Sequence, residues 1–524
     1  MKDSSSHSPL SFSQWFLGLS LLILWAGVPA SDSFTIYEES VTVHLLQTFG
    51  LYMVVIGINS RHPAVQNTIV LNSVLFMILT RVSQTSTVCR EEKAQTCFPT
   101  FNALPNSSVA SPFAVLGLIV LIPVVLITVR RALSSTDSLH GTGYFIVTYS
   151  LPAGLFVSFV YWLLDTLHGY QQFVGGWEFM QTIKIWWAKV LFLACSVSAL
   201  YVWGCEPSCL GVAELTITAQ TPTKTGTAAA ENNNRDGSIL VDKATQKEYV
   251  ILGLQNPLGS AYLVFVSIVY MILAMFQKPM GGVMLGIQII QIVGLVEIYT
   301  LLRDEWEPNL GLESSFVTMQ AKLFQSAHTS SPSESANPEK SSNKFREEGK
   351  KPTPFSLLFL FTVVLLIQGQ RFFFATGHQY TLASIQWDVA FIGLFNTSFV
   401  WGPVIMLFNT FGAPLLSLLA IPLLPLWKQR RDVVALAGSG NGSGNKSRDH
   451  VILRDIGAVF LIVGLCLGVW GFAATAFVGH FRRHLMVWSV FAPKFLGVDM
   501  GVIVLEGFLI LFVGAAVARV WMLK

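Results

Sequence analysis

The chain has 524 residues, of which 12% are charged and 52% belong to the hydrophobic set, with a net charge of +3 at pH 7. Soluble domains carry about 25% charged residues. These values, with a mean hydropathy of +0.57, exclude a soluble globular enzyme, a disordered chain, a coiled coil and a nucleic-acid partner, and leave a polytopic membrane protein.

A spanning helix needs about 20 mostly apolar residues. Apolar runs predict spans near 12–30, 41–60, 65–82, 111–130, 142–164, 183–204, 255–277, 280–302, 355–373, 386–402, 403–427, 451–479 and 499–521. The runs are continuous, so a β-barrel is not indicated. The expected fold is an all-α, polytopic transmembrane bundle of about 12–13 spans with no soluble domain. The first run is a transmembrane or signal-like segment. Lys2 precedes an apolar Leu17–Trp25 core, and Val28-Pro29-Ala30 resembles a cleavage site; the reading taken is a first transmembrane helix.

A first helical bundle thus covers 31–204, and a helical pair 251–302. Residues 355–427 form a helical segment, and 451–524 hold the C-terminal helices. Polar stretches separate them. The Thr/Ala/Asn-rich 205–250 and the Ser/Lys/Glu-rich 303–354 read as flexible linkers, and 428–450 as a Gly/Ser-rich loop.

Arg130-Arg131 should face the cytosol. The 83–110 loop then faces the opposite, lumenal side. It holds Cys89 and Cys97, an expected disulfide, and the sequon at Asn106, an expected glycosylation site. Further along the signals conflict. Lys428, Arg430 and Arg431 ask for the cytosol, whereas the sequons at Asn441 and Asn445 permit the lumen. Thirteen spans put this loop in the lumen; one span plus a re-entrant segment within 386–427 reverses it.

Charged groups inside apolar runs are functional candidates, because each costs about 2.5–3.5 kcal/mol at mid-bilayer. Glu297 shares a helical face with Gly282 and Gly286, as a lipid-headgroup groove or a packing seam. Asp499 and Glu506 lie seven residues apart on one face, as a buried polar seam or a lipid-headgroup site with Glu506 as the candidate ligand. Lys184 and Lys189 bracket Trp186-Trp187 as an interfacial belt, and Asp165 and His168 close a span. His480 and His484 have helical ligand spacing. The intervening Arg482 and Arg483 oppose a dication and fit lipid phosphate better. Cys205 and Cys209 lack the second cysteine pair of a zinc site, so no metal site is expected. No phosphate loop or nucleophile elbow occurs.

The most distinctive stretch runs from Gln370 and Arg371 through Phe372-Phe373-Phe374 to Ala375-Thr376-Gly377-His378-Gln379. A cation, an aromatic triplet and a polar turn follow one another. Arg371, Thr376, His378 and Gln379 are candidates for contact with a phosphate- or hydroxyl-bearing headgroup; an aromatic belt ending in a polar turn is the plainer alternative.

Residues 373–379, with Ile385-Gln386-Trp387 and Ala390-Phe391-Ile392-Gly393, resemble the glycosylphosphatidylinositol (GPI) ethanolamine phosphate transferases. Gln277-Lys278-Pro279-Met280-Gly281-Gly282-Val283, Arg482-Arg483-His484-Leu485-Met486-Val487-Trp488 and Phe491-Ala492-Pro493-Lys494-Phe495 resemble the branch that modifies the third mannose. The resemblance implies a multi-pass endoplasmic-reticulum protein of GPI-anchor biosynthesis. Its family moves phosphoethanolamine from phosphatidylethanolamine to a mannose of the GPI precursor. It also implies a PIG-F-like small membrane subunit as partner. The family's chemistry belongs to a lumenal domain with a Thr nucleophile and bound zinc, which precedes the multi-span region. None of its residues can be matched here, so this sequence is expected to hold no cofactor and to transfer nothing alone. The remaining roles are lipid-substrate and partner binding. A secondary transporter or permease and a non-enzymatic membrane scaffold are the alternatives; matching broken helices in two halves, the mark of many transporters, were not found.

Overall fold

A computed structural model describes residues 8–31, 38–60, 62–87, 112–169, 177–204, 209–215, 238–242, 247–253, 256–306, 355–380, 386–396, 398–428, 443–481, 494–499 and 501–507. The chain forms α1 (Ser8–Ala26), α2 (Glu38–Ile58), α3 (Pro63–Thr85) and α4 (Pro112–Ser134). A short α5 (Gly141–Phe145) passes through a π-helical turn, Ile146–Ser150, into α6 (Leu151–Gly169). Pro152 lies just beyond this turn and lacks the N–H that a regular ladder would use, which favours such a bulge. Then come α7 (Trp177–Gly204), three strands, α8 (Pro257–Phe276) and α9 (Pro279–Trp306). The last elements are α10 (Phe355–Ala375), α11 (Trp401–Ala420), a short α12 (Leu423–Leu426) and α13 (Ser443–Phe481).

Ten helical stretches among the described residues are long and apolar enough to cross a membrane, and Phe12–Ala26 is a shorter apolar helix. The protein is therefore an all-α polytopic bundle, as its hydropathy implies. The count differs at 386–402. There the chain makes a 3-10 turn, Trp387–Phe391, and irregular structure rather than a span. The run is aromatic enough to read as a span, but Gly393 takes a left-handed φ of 74°. Trp387, Phe391, Phe395, Phe399 and Trp401 are exposed around it. A single span, Trp401–Leu426, follows. The expected last span, 499–521, extends beyond residue 507 outside the described residues.

The expected linker at 205–250 also differs. Strands β1 (Gly211–Leu215), β2 (Ser238–Asp242) and β3 (Lys247–Leu252) form an antiparallel sheet in the order β1-β3-β2. Its register pairs Ala213 and Ile239 with Val250. The Thr/Ala/Asn composition between the strands masks these short β-branched segments, which suit a pleated ladder.

α10 is the pillar of the bundle. Every residue from Ser356 to Ala375 is buried, so its all-round apolar sequence is matched by neighbours on all sides. Trp15 stacks on Phe359 of α10, and Phe49 of α2 meets Phe361 edge-on. Gly369 lets the backbone of α11 approach at Pro414. Gly282 and Gly286 of α9 receive Leu118 and Leu121 of α4. That is the packing-seam reading of the Gly-x-x-x-Gly step. Midway along the bundle, Gln291 donates to Phe76 O and Thr80 Oγ1, each at 3.0 Å, and Gln368 donates to Gln291 Oε1 at 3.0 Å. Gln288 donates to Ala413 O at 2.7 Å and Ser417 Oγ at 2.8 Å. These bonds tie α3, α9, α10 and α11 where water is scarce.

The contacts sort the polar groups to two ends. α4 and α9 run parallel, Gly117 facing Val283 and Leu121 facing Gly286. Arg130-Arg131 therefore share an end with Arg303 and Lys428. The opposite end gathers Glu38, Glu39, Thr87, Arg371, Tyr380 and Lys494. With one span in 401–426, Lys428 lies at the same end of the bundle as Arg303.

Candidate functional site

The aromatic triplet and polar turn close α10. Gly377 has φ of 87°, its N–H donates to Phe374 O at 3.0 Å, and His378 N–H donates to Phe373 O at 3.3 Å. This is a Schellman C-cap with glycine at the left-handed position. The usual apolar contact across the cap is supplied by the imidazole of His378, stacked on Phe373 with centroids 5.8 Å apart. Thr376 Oγ1 donates back to Phe372 O and Phe373 O. Local sequence therefore dictates the turn: an apolar helix end, a hydroxyl, a glycine and a planar ring.

Arg371, one turn before the cap, is 0% exposed. Its Nη1 donates to Glu39 Oε1 at 3.0 Å, Nη2 to Thr87 Oγ1 at 3.0 Å, and Nε to Ser83 Oγ at 3.3 Å. Thr87 Oγ1 in turn donates to the same carboxylate at 2.8 Å. Glu38 uses a different cation. Its Oε1 meets Lys494 Nζ at 3.1 Å, with the two side chains 3% and 0% exposed. Lys494 also donates to Ser31 O at 2.6 Å and Val28 O at 3.3 Å. Consecutive acidic residues at the start of α2 thus fasten α3, α10, the end of α1 and the 494–499 segment. A buried ion pair is sound only when its remaining donors find partners; all three Lys494 donors do, and each guanidinium nitrogen of Arg371 has an acceptor.

Beside this clasp the Trp25 indole donates to Gln370 Oε1, and Gln370 Nε2 donates to Tyr380 Oη at 3.2 Å. Burial, with the nearby Glu38 carboxylate adding to it, pushes the Tyr380 phenol above its ordinary pKa, so it stays a neutral hydroxyl. A narrow cleft opens next to these groups, between α1, α10, α11, α13 and the 494–507 region.

Of the residues expected to touch a headgroup, Arg371, Thr376 and His378 are buried together at this end, with half-buried Gln379 beside them. Glu297 lies at the opposite end, where its Oε1 meets Lys428 Nζ at 2.6 Å, each about a quarter exposed. Glu506 is exposed on the C-terminal segment, as is Asp499. The structure does not bring Glu297 to the Arg371 cluster. Arg482, Arg483, Cys89, Cys97, Asn106, His484 and Cys205 lie outside the described residues. Lys184 pairs with Asp165, and Lys189 sits over the rings of Trp186 and Phe395.

Sequence reasoning did not single out Glu38, Glu39, Lys494, Thr87, Gln370, Trp25 or Tyr380 as site residues. Two signals were present: an acidic pair opening an apolar helix, and a lone lysine in Phe-Ala-Pro-Lys-Phe. Among the described residues no group of three His, Cys, Asp or Glu side chains converges as a metal site would require.

The chain is 25% identical to GPI ethanolamine phosphate transferase 3 of Saccharomyces cerevisiae across 94% of its own length and 43% of that protein. The Schizosaccharomyces pombe protein of the same name is 22% identical, across 89% of this chain and 38% of the relative. GPI ethanolamine phosphate transferase 3, catalytic subunit, of Mus musculus is 32% identical across 29% of this chain and 16% of that protein. The chain spans about two fifths of the length of these yeast relatives. No family model matches it, and no solved structure matches it.

Proposed function

We propose that this chain, similar over most of its length to proteins named GPI ethanolamine phosphate transferase 3, is the membrane-spanning part of a phosphoethanolamine-transfer apparatus of GPI-anchor assembly in the endoplasmic reticulum. The observation that carries this reading is the similarity across 94% of the chain. The charge pattern supports its orientation. Arg130-Arg131 and Lys428 share one end, which the positive-inside rule assigns to the cytosol. The Arg371–Glu39 and Lys494–Glu38 end then faces the lumen.

In this reading the chain's residues hold and orient lipids and are not themselves the reacting groups. Nucleophilic phosphoryl transfer needs an activated hydroxyl and a means of stabilising the transferring group. The buried charges of the clasp are paired with one another. The lumenal end instead offers a fixed platform: the clasp locks five segments, and Gln379 and Glu39 reach its surface. The substrates handled are phosphatidylethanolamine and the GPI precursor, with the third mannose as acceptor, and a PIG-F-like small membrane subunit docks on the exposed apolar flank.

The test expresses residues 1–524 in cells lacking the third-mannose transferase, alone and with the remaining portion of the yeast relative supplied in trans. Surface GPI-anchored protein should return only in the second case. Rescue by the chain alone would place the chemistry within these helices. Absence of rescue in both, with the two proteins present at normal levels, would remove the GPI assignment.

A further inference from the structure

Two residues lining the cleft beside Gln370 carry hydrogen-bond donors with nothing to donate to among the described residues. The Trp470 indole Nε1 is buried without a partner on a residue only 4% exposed. The Tyr380 hydroxyl accepts from Gln370, which leaves its own proton to give. The Trp470 and Tyr380 rings lie 5.6 Å apart, and the Trp25 ring lies 6.2 Å from that of Trp470. An unmet buried donor costs about 1–3 kcal/mol, and no bulk water relieves it inside a bilayer.

The cleft is also graded along the bundle axis. Trp25, Gln370, Tyr380 and Trp470 line the end beside the Glu38–Lys494 clasp, whereas Leu366, Leu418, Leu467 and Val504 line the part deeper in the bundle. Gly497 and Gly501 leave the wall without side chains at successive turns. An occupant that satisfies it presents an acceptor at the polar end and continues as a flexible apolar chain.

We propose that this cleft is a binding site for an ester-linked acyl chain of a glycerophospholipid, with the ester carbonyl accepting from Trp470 Nε1 and Tyr380 Oη. Free sterols and isoprenoid chains lack that carbonyl. The proposal rests on the membrane placement of the bundle and not on the transferase reading, so failure of the rescue experiment leaves it standing.

The experiment uses the full chain in nanodiscs of phosphatidylcholine doped with a phosphatidylcholine carrying a diazirine on an ester-linked acyl chain, and in parallel its ether-linked analogue. After irradiation, the ester probe should label peptides spanning 411–418 and 497–504 above the lipid-facing surface of α7. Trp470→Phe keeps an aromatic ring and removes the donor, and should lower that labelling roughly five- to tenfold, the worth of one hydrogen bond. Val504→Phe, in the half-buried apolar part of the wall, should fill the cleft and lower it at least as much. The ether probe should label the wild type at about the Trp470→Phe level, a comparison that needs no substitution. Labelling no higher than on α7 would overturn the site. Equal labelling by the two probes, or by wild type and Trp470→Phe, would overturn the carbonyl contact.

Discussion

The two polar ends of the bundle solve the same problem differently. At the Arg130 end, Lys428 and Glu297 form a pair that stays about a quarter exposed. Arg303 caps the chain reversal there by donating to Trp427 O at 3.3 Å and Lys428 O at 2.6 Å. At the Arg371 end, both cations are fully buried. A wet ion pair is screened and its breakage is relieved by water. A dry one, once broken, strands a charge. The Arg371 end is therefore the rigid end, and the cleft and the capped turn are built against it.

The largest effect expected from breaking this contrast is at Lys494. Lys494→Met leaves Glu38 unpaired at 3% exposure and should cost about 3–5 kcal/mol. Denaturant titration in mild detergent should register it, and adding Glu38→Gln should recover much of the loss. A single-site loss under about 1 kcal/mol would mean that the pair is not dry.

Arg371→Lys comes next. A lysine keeps the charge but loses the fork that reaches Glu39, Thr87 and Ser83 together, at about 2–3 kcal/mol. Because Glu39 is 33% exposed, water softens this loss below that at Lys494.

The cap should matter less. Gly377→Ala forces a Cβ into the left-handed region, for about 1–2 kcal/mol. Gly377→Asn should recover part of it in the same thermal melts. The smallest effect belongs to the wet end. Lys428→Ala should cost no more than about 1 kcal/mol and should shrink further in high salt, whereas Lys494→Met should be salt-insensitive. Equal salt responses at the two sites would erase the distinction between the ends.

Much of this architecture was legible beforehand. A bilayer accepts only satisfied backbones, so long apolar runs such as 355–373 had to be helices. Gly377 behind an apolar helix end marked a tight turn. The failures have physical causes too. Residues 386–402 carry the aromatic content of a span, but hydropathy does not register that Gly393 is left-handed and that the rings splay outward. The 205–250 stretch hid strands because its averaged composition was dominated by the Thr/Ala/Asn run between them. The sequence reveals Arg371 as a charge in an apolar run but does not reveal its partner, Glu39.

Span positions, the bundle class and the turn after α10 follow from the sequence by itself, because hydropathy and capping act over a few neighbouring residues. The partners of the buried charges were decided only by tertiary structure. Arg371 lies 332 residues from Glu39, and Lys494 lies 456 from Glu38. No local pattern encodes such pairings. They arise when helices of alternating direction bring their ends to one side of a bilayer, where an unpaired charge is too costly to leave alone.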